Sequence, residues 1–596
     1  MKKILAMLAG ITVVGGSALT VLACKTRVST DIIVQANDKW MPIYQKAADV
    51  VNKKFEEQGY KWKIKLKQID IFKEKELIEQ RGVRDKGISD VFTVPLDRFP
   101  QFLNQNTLKD LTEYIKKGIA EDPEVKERFG LDVVEGKTGV DAIKITKNEN
   151  SWKSALGNDI KGKHQFGMIP MSIENMIWVF NKDKIGIEKI EGNDKKQYSY
   201  LVGSELTKVN NLDKYDGKDP AGAKLKDKPK ASIENLIKLN LAQTNTYKFE
   251  NPKDVEGKTD INKGAPLVYM DAGGSFQGGT FLNSILNKRA DDIAKEKSDK
   301  ASLGMVWVKK GKDVNSTNKS DFDSIWENNK FKDDFDKTTQ AIVEYVKSLG
   351  GHIREIYGGA GGQIVQILDD ALRDGTTAMT LVGPWELSSK LETMRKAAGY
   401  KGNFGFASIG DITFNGDSKL TGFAGGYGWG VKSSIANAKL KNNKGEEMDK
   451  IAAAVEFIKE ISKKEYATEL AFVDGKISAY TDVAKNLIKE LKEGINVPEI
   501  DDKGKKKTDA NLKAEKENRK IIGNAYEGVV NGYEKTGKDA DVAPRADNEV
   551  FGIYWGVYGT AFGSTFNNKT NPDFKQKFSD IFRTTYAREK ELYKFH

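Results

Sequence analysis

One cysteine in 596 residues, Cys24, leaves no partner for a disulfide within the chain and no means of building a cysteine metal cluster. Histidines number three, His164, His352 and His596. A Ser-His-Asp hydrolase would have to use one of the first two, and no Gly-x-Ser-x-Gly elbow exists for either to serve. The run Gly358-Gly359-Ala360-Gly361-Gly362 is not followed by Gly-Lys-Ser/Thr, so it fails as a Walker phosphate cradle and reads as a flexible loop before a helix. Beyond residue 23 no further run of about 18 apolar residues appears, which excludes a further transmembrane helix and a permease role. Abundant carboxylates keep a glycosidase formally open, because that chemistry needs only two Asp or Glu side chains at a fixed separation.

Charge excludes little more. The formal balance is +10, from 96 basic and 86 acidic residues. The cations are mostly lysines interleaved with acids, and the densest clusters, 224–230 and 503–507, read as solvated loops. No nucleic-acid partner is expected from such a spread. A mild attraction to anionic lipid fits it better.

What is present begins at the N-terminus. Lys2 and Lys3 precede an uncharged apolar stretch, 4–23, the layout of a secretory signal. An uncleaved membrane helix of about 20 residues has the same composition. The stretch ends in Val21-Leu22-Ala23-Cys24, which resembles a bacterial lipobox. That resemblance implies cleavage before Cys24 and a diacylglycerol on its thiol, with 1–23 as signal peptide, 24–30 as a short tether, and the body on the extracellular face of the cell membrane. The alternative is an ordinary buried cysteine.

The rest of the chain is longer than one typical domain of about 100–200 residues, and its 39% hydrophobic content suffices for two cores. Trp62, Ile64 and Leu66 alternate with lysines, a half-exposed strand, whereas Ile43, Ala47, Val50, Val51 and Phe55 fall at helical spacing. Further strands are predicted at 90–94, 175–180 and 377–382, and an amphipathic helix on Ile451, Ala454, Val455, Ile458 and Ile461. Such alternation predicts an α/β fold with helix-flanked sheets. Three charged stretches, 122–158, 187–232 and 495–520, read as surface excursions.

Five segments carry a more specific signal. Asn37-Asp38-Lys39 follows the first predicted strand, where a carboxylate and an ammonium can bracket hydroxyl groups; an ordinary strand-to-helix turn with an Asp cap is the alternative. Asp90-Val91-Phe92-Thr93-Val94-Pro95-Leu96-Asp97-Arg98-Phe99 is a strand followed by a D-R-F turn. The stretch 167–183 contains Pro170, Glu174, Phe180, Asn181, Lys182 and Asp183. Asp374-Gly375-Thr376-Thr377-Ala378-Met379-Thr380-Leu381-Val382-Gly383-Pro384-Trp385 ends on a tryptophan, whose large flat ring suits the apolar face of a pyranose as well as it suits a core. Last is Phe551-Gly552-Ile553-Tyr554-Trp555-Gly556-Val557-Tyr558.

Together these segments resemble the family 1 extracellular solute-binding proteins of ABC importers, and among them the maltose/maltodextrin-binding proteins. The resemblance implies a periplasmic-binding-protein-like fold: two discontinuous α/β lobes, 31–172 with 421–482 and 173–420 with 483–596, joined by hinge strands around a ligand cleft. The crossings fall near Ser172, Thr421 and Asp482. It implies that a carbohydrate, a maltodextrin in particular, is held by Asp38, Lys39, Asp97, Arg98 and Glu174 and stacks on Phe276, Trp385 and Tyr554 or Trp555. It further implies capture without catalysis, no cofactor or metal, a monomer, and the ABC permease as partner. Two departures alter the aromatic set: Val94 stands where the maltodextrin binders carry an aromatic, and Asp271-Ala272-Gly273-Gly274-Ser275-Phe276 replaces a Glu-Pro-Tyr-Phe-type segment. A binding lipoprotein for another solute, such as a glycerol phosphoester or a peptide, and a surface adhesin are the alternatives.

Overall fold

In the computed structural model the described residues are 29–158, 163–192, 195, 197–213, 228–246, 266–274, 277–285, 307–309, 322–324, 329–349, 371–397, 402–416, 418–423, 425–435, 438–495, 497, 499, 505–534, 542–543, 557–564, 578–582 and 584. Among them, ten strands build the two principal sheets: β1 (Asp31–Ala36), β2 (Lys63–Gln68), β3 (Val91–Pro95), β4 (Met168–Glu174), β5 (Ile177–Asn181), β6 (Val268–Tyr269), β7 (Met379–Val382), β8 (Phe404–Ser408), β9 (Gly425–Val431) and β10 (Ile477–Ser478). The six-stranded sheet runs β2-β1-β3-β9-β4-β10 and the four-stranded sheet β6-β7-β5-β8. Strands β1, β2 and β3 are parallel, and β9 enters antiparallel between β3 and β4.

The helices that matter for packing are α1 (Met41–Glu57), α2 (Ile71–Arg81), α3 (Pro123–Phe129), α4 (Lys450–Ile461), α5 (Lys464–Asp474), α6 (Thr481–Glu493) and α7 (Asp509–Glu534). In α1 the residues Ile43, Tyr44, Ala47, Ala48, Val51 and Phe55 are buried, a stripe at three- and four-residue steps that faces the six-stranded sheet, while the lysines and acids between them stay in water. Helix α4 buries a comparable stripe in the same core, and α6 and α7 pack on each other and on the four-stranded sheet through Leu487, Leu491, Tyr526 and Val530. Among the described residues no helix is long and apolar enough to cross a membrane.

The chain passes from the six-stranded to the four-stranded sheet between β4 and β5, returns before β9, and leaves again after β10 into α6. The strands predicted at 90–94, 175–180 and 377–382 form at 91–95, 177–181 and 379–382, and the predicted helix over 451–461 is α4.

The stretch 122–158 is not a surface excursion. Phe129, Leu131 and Trp152 belong to the core of the six-stranded sheet, Phe129 stacks on Tyr480 at 5.1 Å, and Trp152 meets Phe166 edge-on at 5.5 Å. Its charges lie on the outer faces of short elements whose inner positions are apolar. Averaging over the stretch hides that pattern. The stretch 187–232 likewise contains an antiparallel hairpin, Gly186–Glu191 with Gln197–Val202, that buries Tyr200 and Leu201.

Trp152 is fully buried and its indole Nε1 donates to the Phe129 carbonyl at 2.7 Å. Trp152→Ala removes the ring and the shorter of two hydrogen bonds to that carbonyl, which Asn148 Nδ2 also meets at 3.2 Å, and should lower the unfolding free energy by about 3–5 kcal/mol in a denaturant titration. A loss below about 1 kcal/mol, the range of surface substitutions, would contradict the placement of this segment in the core.

Candidate functional site

Strand directions bring one set of chain ends together. Because β1 and β3 are parallel while β9 opposes both β3 and β4, the carboxyl ends of β1, β3 and β4 share an edge with the amino ends of β9 and β10. The carboxyl edge of an α/β sheet is where side chains on the following loops converge on a ligand.

Five of the predicted residues lie on that edge. After β1 the chain turns through a short 3₁₀ segment, Asp38–Trp40, pinned by Asn37, whose Oδ1 accepts from the Ile71 amide at 3.1 Å. Asp38 Oδ1 accepts from Gln68 Nε2 at 2.7 Å, and Lys39 Nζ stands 3.6 Å from Asp474 Oδ1. Beneath it the buried Trp40 donates its indole proton to Asp474 Oδ2 at 3.1 Å. After β3 the Leu96 amide donates to the Gly426 carbonyl at 3.0 Å, which sets the turn bearing Asp97 and Arg98; their side chains are 3.7 Å apart. At the end of β4 Glu174 is buried, with Oε1 2.7 Å from Lys476 Nζ.

Strand β9 supplies what the sequence reading missed. Its residues Gly425-Gly426-Tyr427-Gly428-Trp429-Gly430 alternate glycine with aromatic, so the rings share one face and the bare backbone the other. A Cβ at Gly426 would sit 2.0 Å from the Ser172 carbonyl, and its φ of +133° is open only to glycine. Against β4 the register slips between Tyr427 and Gly428, where Met171 of β4 is the extra residue of a bulge, while the pairing of β9 with β3 stays regular. Lys476 Nζ lies 4.3 Å from the Tyr427 ring centroid. Burial pushes the Tyr427 hydroxyl far above its ordinary pKa, and the carboxylates of Glu174, Asp97, Asp474 and Asp70 push it further. Four acids thus share one field around this tyrosine. The glycine–aromatic alternation was a legible signal for Tyr427; nothing local marks Asp474 or Lys476.

Trp385 reaches the same edge from the other sheet. It follows β7, whose Val382 pairs with Ile177 at the start of β5, three residues past Glu174. The indole is 41% exposed and folds back over Gly383, where a Cβ would meet the ring at 2.4 Å. It is therefore not a core tryptophan. Gly475, at φ +62°, closes the gap between the two sheets: a Cβ there would lie 2.7 Å from the Pro384 carbonyl and 3.2 Å from the Trp385 amide nitrogen. Val94 is fully buried and cannot offer a stacking face at its position. Cys24, Phe276, Tyr554 and Trp555 lie outside the described residues. Among the described residues no group of three or more His, Cys, Asp or Glu side chains could hold a metal ion.

By sequence no protein-family model matches the chain, and no curated protein does either. By structure it is similar to a maltose-binding periplasmic protein, MalE, from Listeria monocytogenes in complex with maltose, at TM-score 0.50 and 14% identity over 94% of this chain and 98% of that one. It is equally similar to a cyclo/maltodextrin-binding protein complexed with maltotetraose, at TM-score 0.50 and 14% identity over 95% and 98%. The chain has the periplasmic-binding-protein fold of these proteins.

The contact at Gly475 is testable through stability. Gly475→Ala puts a Cβ into a left-handed residue, which costs about 1–2 kcal/mol, and drives it against the Pro384 carbonyl. The variant should unfold at lower denaturant by at least that amount. A stability equal to the parent's would show that Gly475 neither needs its conformation nor touches the 383–385 turn.

Proposed function

We propose that this protein is the substrate-binding component of an ABC importer, belongs with the family 1 extracellular solute-binding proteins, and captures a neutral carbohydrate, a maltodextrin, without transforming it. One observation carries the reading. At the edge where the two sheets meet, three carboxylates each face a cation within 4 Å, Asp97 with Arg98, Glu174 with Lys476 and Asp474 with Lys39, beside the half-exposed ring of Trp385. Charged donors and acceptors bind hydroxyls through hydrogen bonds roughly twice as strong as neutral ones. Compensated in pairs, they favour an uncharged polyol. A phosphoester would call for uncompensated cations or free helix N-termini, and the edge is instead rich in acids.

The neighbouring structures support this, since their ligands are maltose and maltotetraose. The proposed mechanism is hinge closure over the sugar at the β4–β5, pre-β9 and post-β10 crossings, with Trp385 as stacking platform and water expelled from around the paired charges. Transfer to the permease follows reopening. The lipobox-like Val21-Leu22-Ala23-Cys24 supports an anchor at Cys24 that holds the body on the outer face of the cell membrane.

Maltotriose titrated into the protein should bind by calorimetry, compact the molecule in X-ray scattering, and raise its melting temperature by mass action, about 2.7 kcal/mol at a hundredfold excess over Kd. Trp385→Ala should stay folded and bind at least about 30-fold more weakly, because truncating a stacked aromatic typically costs over 2 kcal/mol. A folded Trp385→Ala protein with unchanged affinity would remove the stacking role. For the anchor, mass spectrometry of the membrane fraction should find a mature chain starting at lipid-modified Cys24. An unmodified Cys24 in the cellular protein rules the anchor out.

A further inference from the structure

The tripeptide Asp474-Gly475-Lys476 touches three parts of the candidate site at once. Asp474 holds the 37–40 turn through Lys39 and Trp40, Gly475 abuts Pro384 and Trp385, and Lys476 reaches Glu174 and the Tyr427 ring. The turn is set by the end of α5, where the Gly475 amide donates to the Ala471 carbonyl at 3.0 Å, and by β10, whose Ile477 pairs with Ile173 one residue before Glu174. Lys476 therefore enters the site on a rigid frame, anchored on both sides by backbone hydrogen bonds.

Its side chain is as buried as that of its partner, 6% against 9% exposed, and the ammonium fills two contacts, a 2.7 Å bond to Glu174 Oε1 and a 4.3 Å approach to the ring of Tyr427. A glutamate side chain has three torsions, and buried without a partner it would turn toward any available donor. Held by Lys476 it has one geometry.

We propose that Lys476 is a positioning residue of the ligand site: it commits Oε1 of Glu174, aims Oε2 as the acceptor for a ligand hydroxyl, and cancels the Glu174 charge so that the site selects an uncharged polyol. The inference rests on the carbohydrate reading above and deepens it. Lys476 acts through Glu174 and not through the ligand. A guanidinium in its place keeps the charge but offers a planar fork that cannot reproduce a single point contact under the Tyr427 ring.

The test is a double-mutant cycle with maltotriose as the probe, read by calorimetry, with thermal unfolding recorded for every variant. Lys476→Arg keeps the charge pair and should remain folded, yet bind about tenfold more weakly, one factor of ten being about 1.4 kcal/mol. In the Glu174→Gln background the same Lys476→Arg change should cost less than about twofold, because the group through which it acts is gone. Lys476→Met leaves a buried carboxylate unpaired and should be strongly destabilised; Lys476→Met/Glu174→Gln has no such charge and should bind as Glu174→Gln does. Raising NaCl from about 50 to 500 mM should move the parent's affinity less than twofold, as expected for an uncharged ligand. A folded Lys476→Arg protein with the parent's affinity overturns the positioning role, and so do losses that multiply in the double variant. Parent protein that binds no maltotriose overturns the carbohydrate reading and this inference with it.

Discussion

A lysine ammonium and a glutamate carboxylate, both buried and 2.7 Å apart, stand where the chain leaves one sheet for the other. Neither charge could sit there alone. Desolvation of each ion costs several kcal/mol, and removing one partner of a buried pair typically costs about 3–5 kcal/mol because the other is left uncompensated. The pair therefore fixes β4 to the turn before β10 and obliges those two chain segments, far apart in sequence, to meet in one register. Tyr427, Asp474 and the 383–385 turn take their places around it.

Backbone sterics enforce the same convergence. Gly426 lets β9 press against the Ser172 carbonyl, next to Tyr427, whose ring Lys476 approaches to 4.3 Å. Gly475 lets the end of α5 come within van der Waals reach of the carbonyl before Trp385. Each glycine stands at a point where a side chain would hold two strands or two turns apart. The electrostatic pair and the close approaches are mutually required: without the glycines the charges would not reach each other, and without the pair the approach would bury an unmatched acid.

Much of the architecture was legible in local patterns. The alternation in 61–67 and the helical stripe of α1 each fall on the stretch where the element forms, because the signal is carried by residues two, three or four apart. The segments around Asp97, Glu174 and Trp385 were legible in another way, as short runs that resemble motifs of the solute-binding proteins, and the structure places them at strand ends. Reading failed where composition was averaged over long windows. Residues 122–158 look like a charged excursion, yet Trp152 and Phe129 lie in the core, since a few inward positions decide burial while the outward majority decides composition.

What the sequence by itself determined is the set of elements, their faces, and the acids, bases and aromatic that stand at the strand ends. What only the tertiary structure decided is who partners whom. Glu174 meets Lys476 across 302 positions and Trp40 meets Asp474 across 434, separations over which no periodicity runs. The pairing of charges at the edge, the burial of Val94, and the passage of Tyr427 and Lys476 into the site all follow from strand order, β9 inserted between β3 and β4 and β10 laid beside β4. Strand order is set by long-range burial of apolar faces and not by any local preference of the residues that end up in contact.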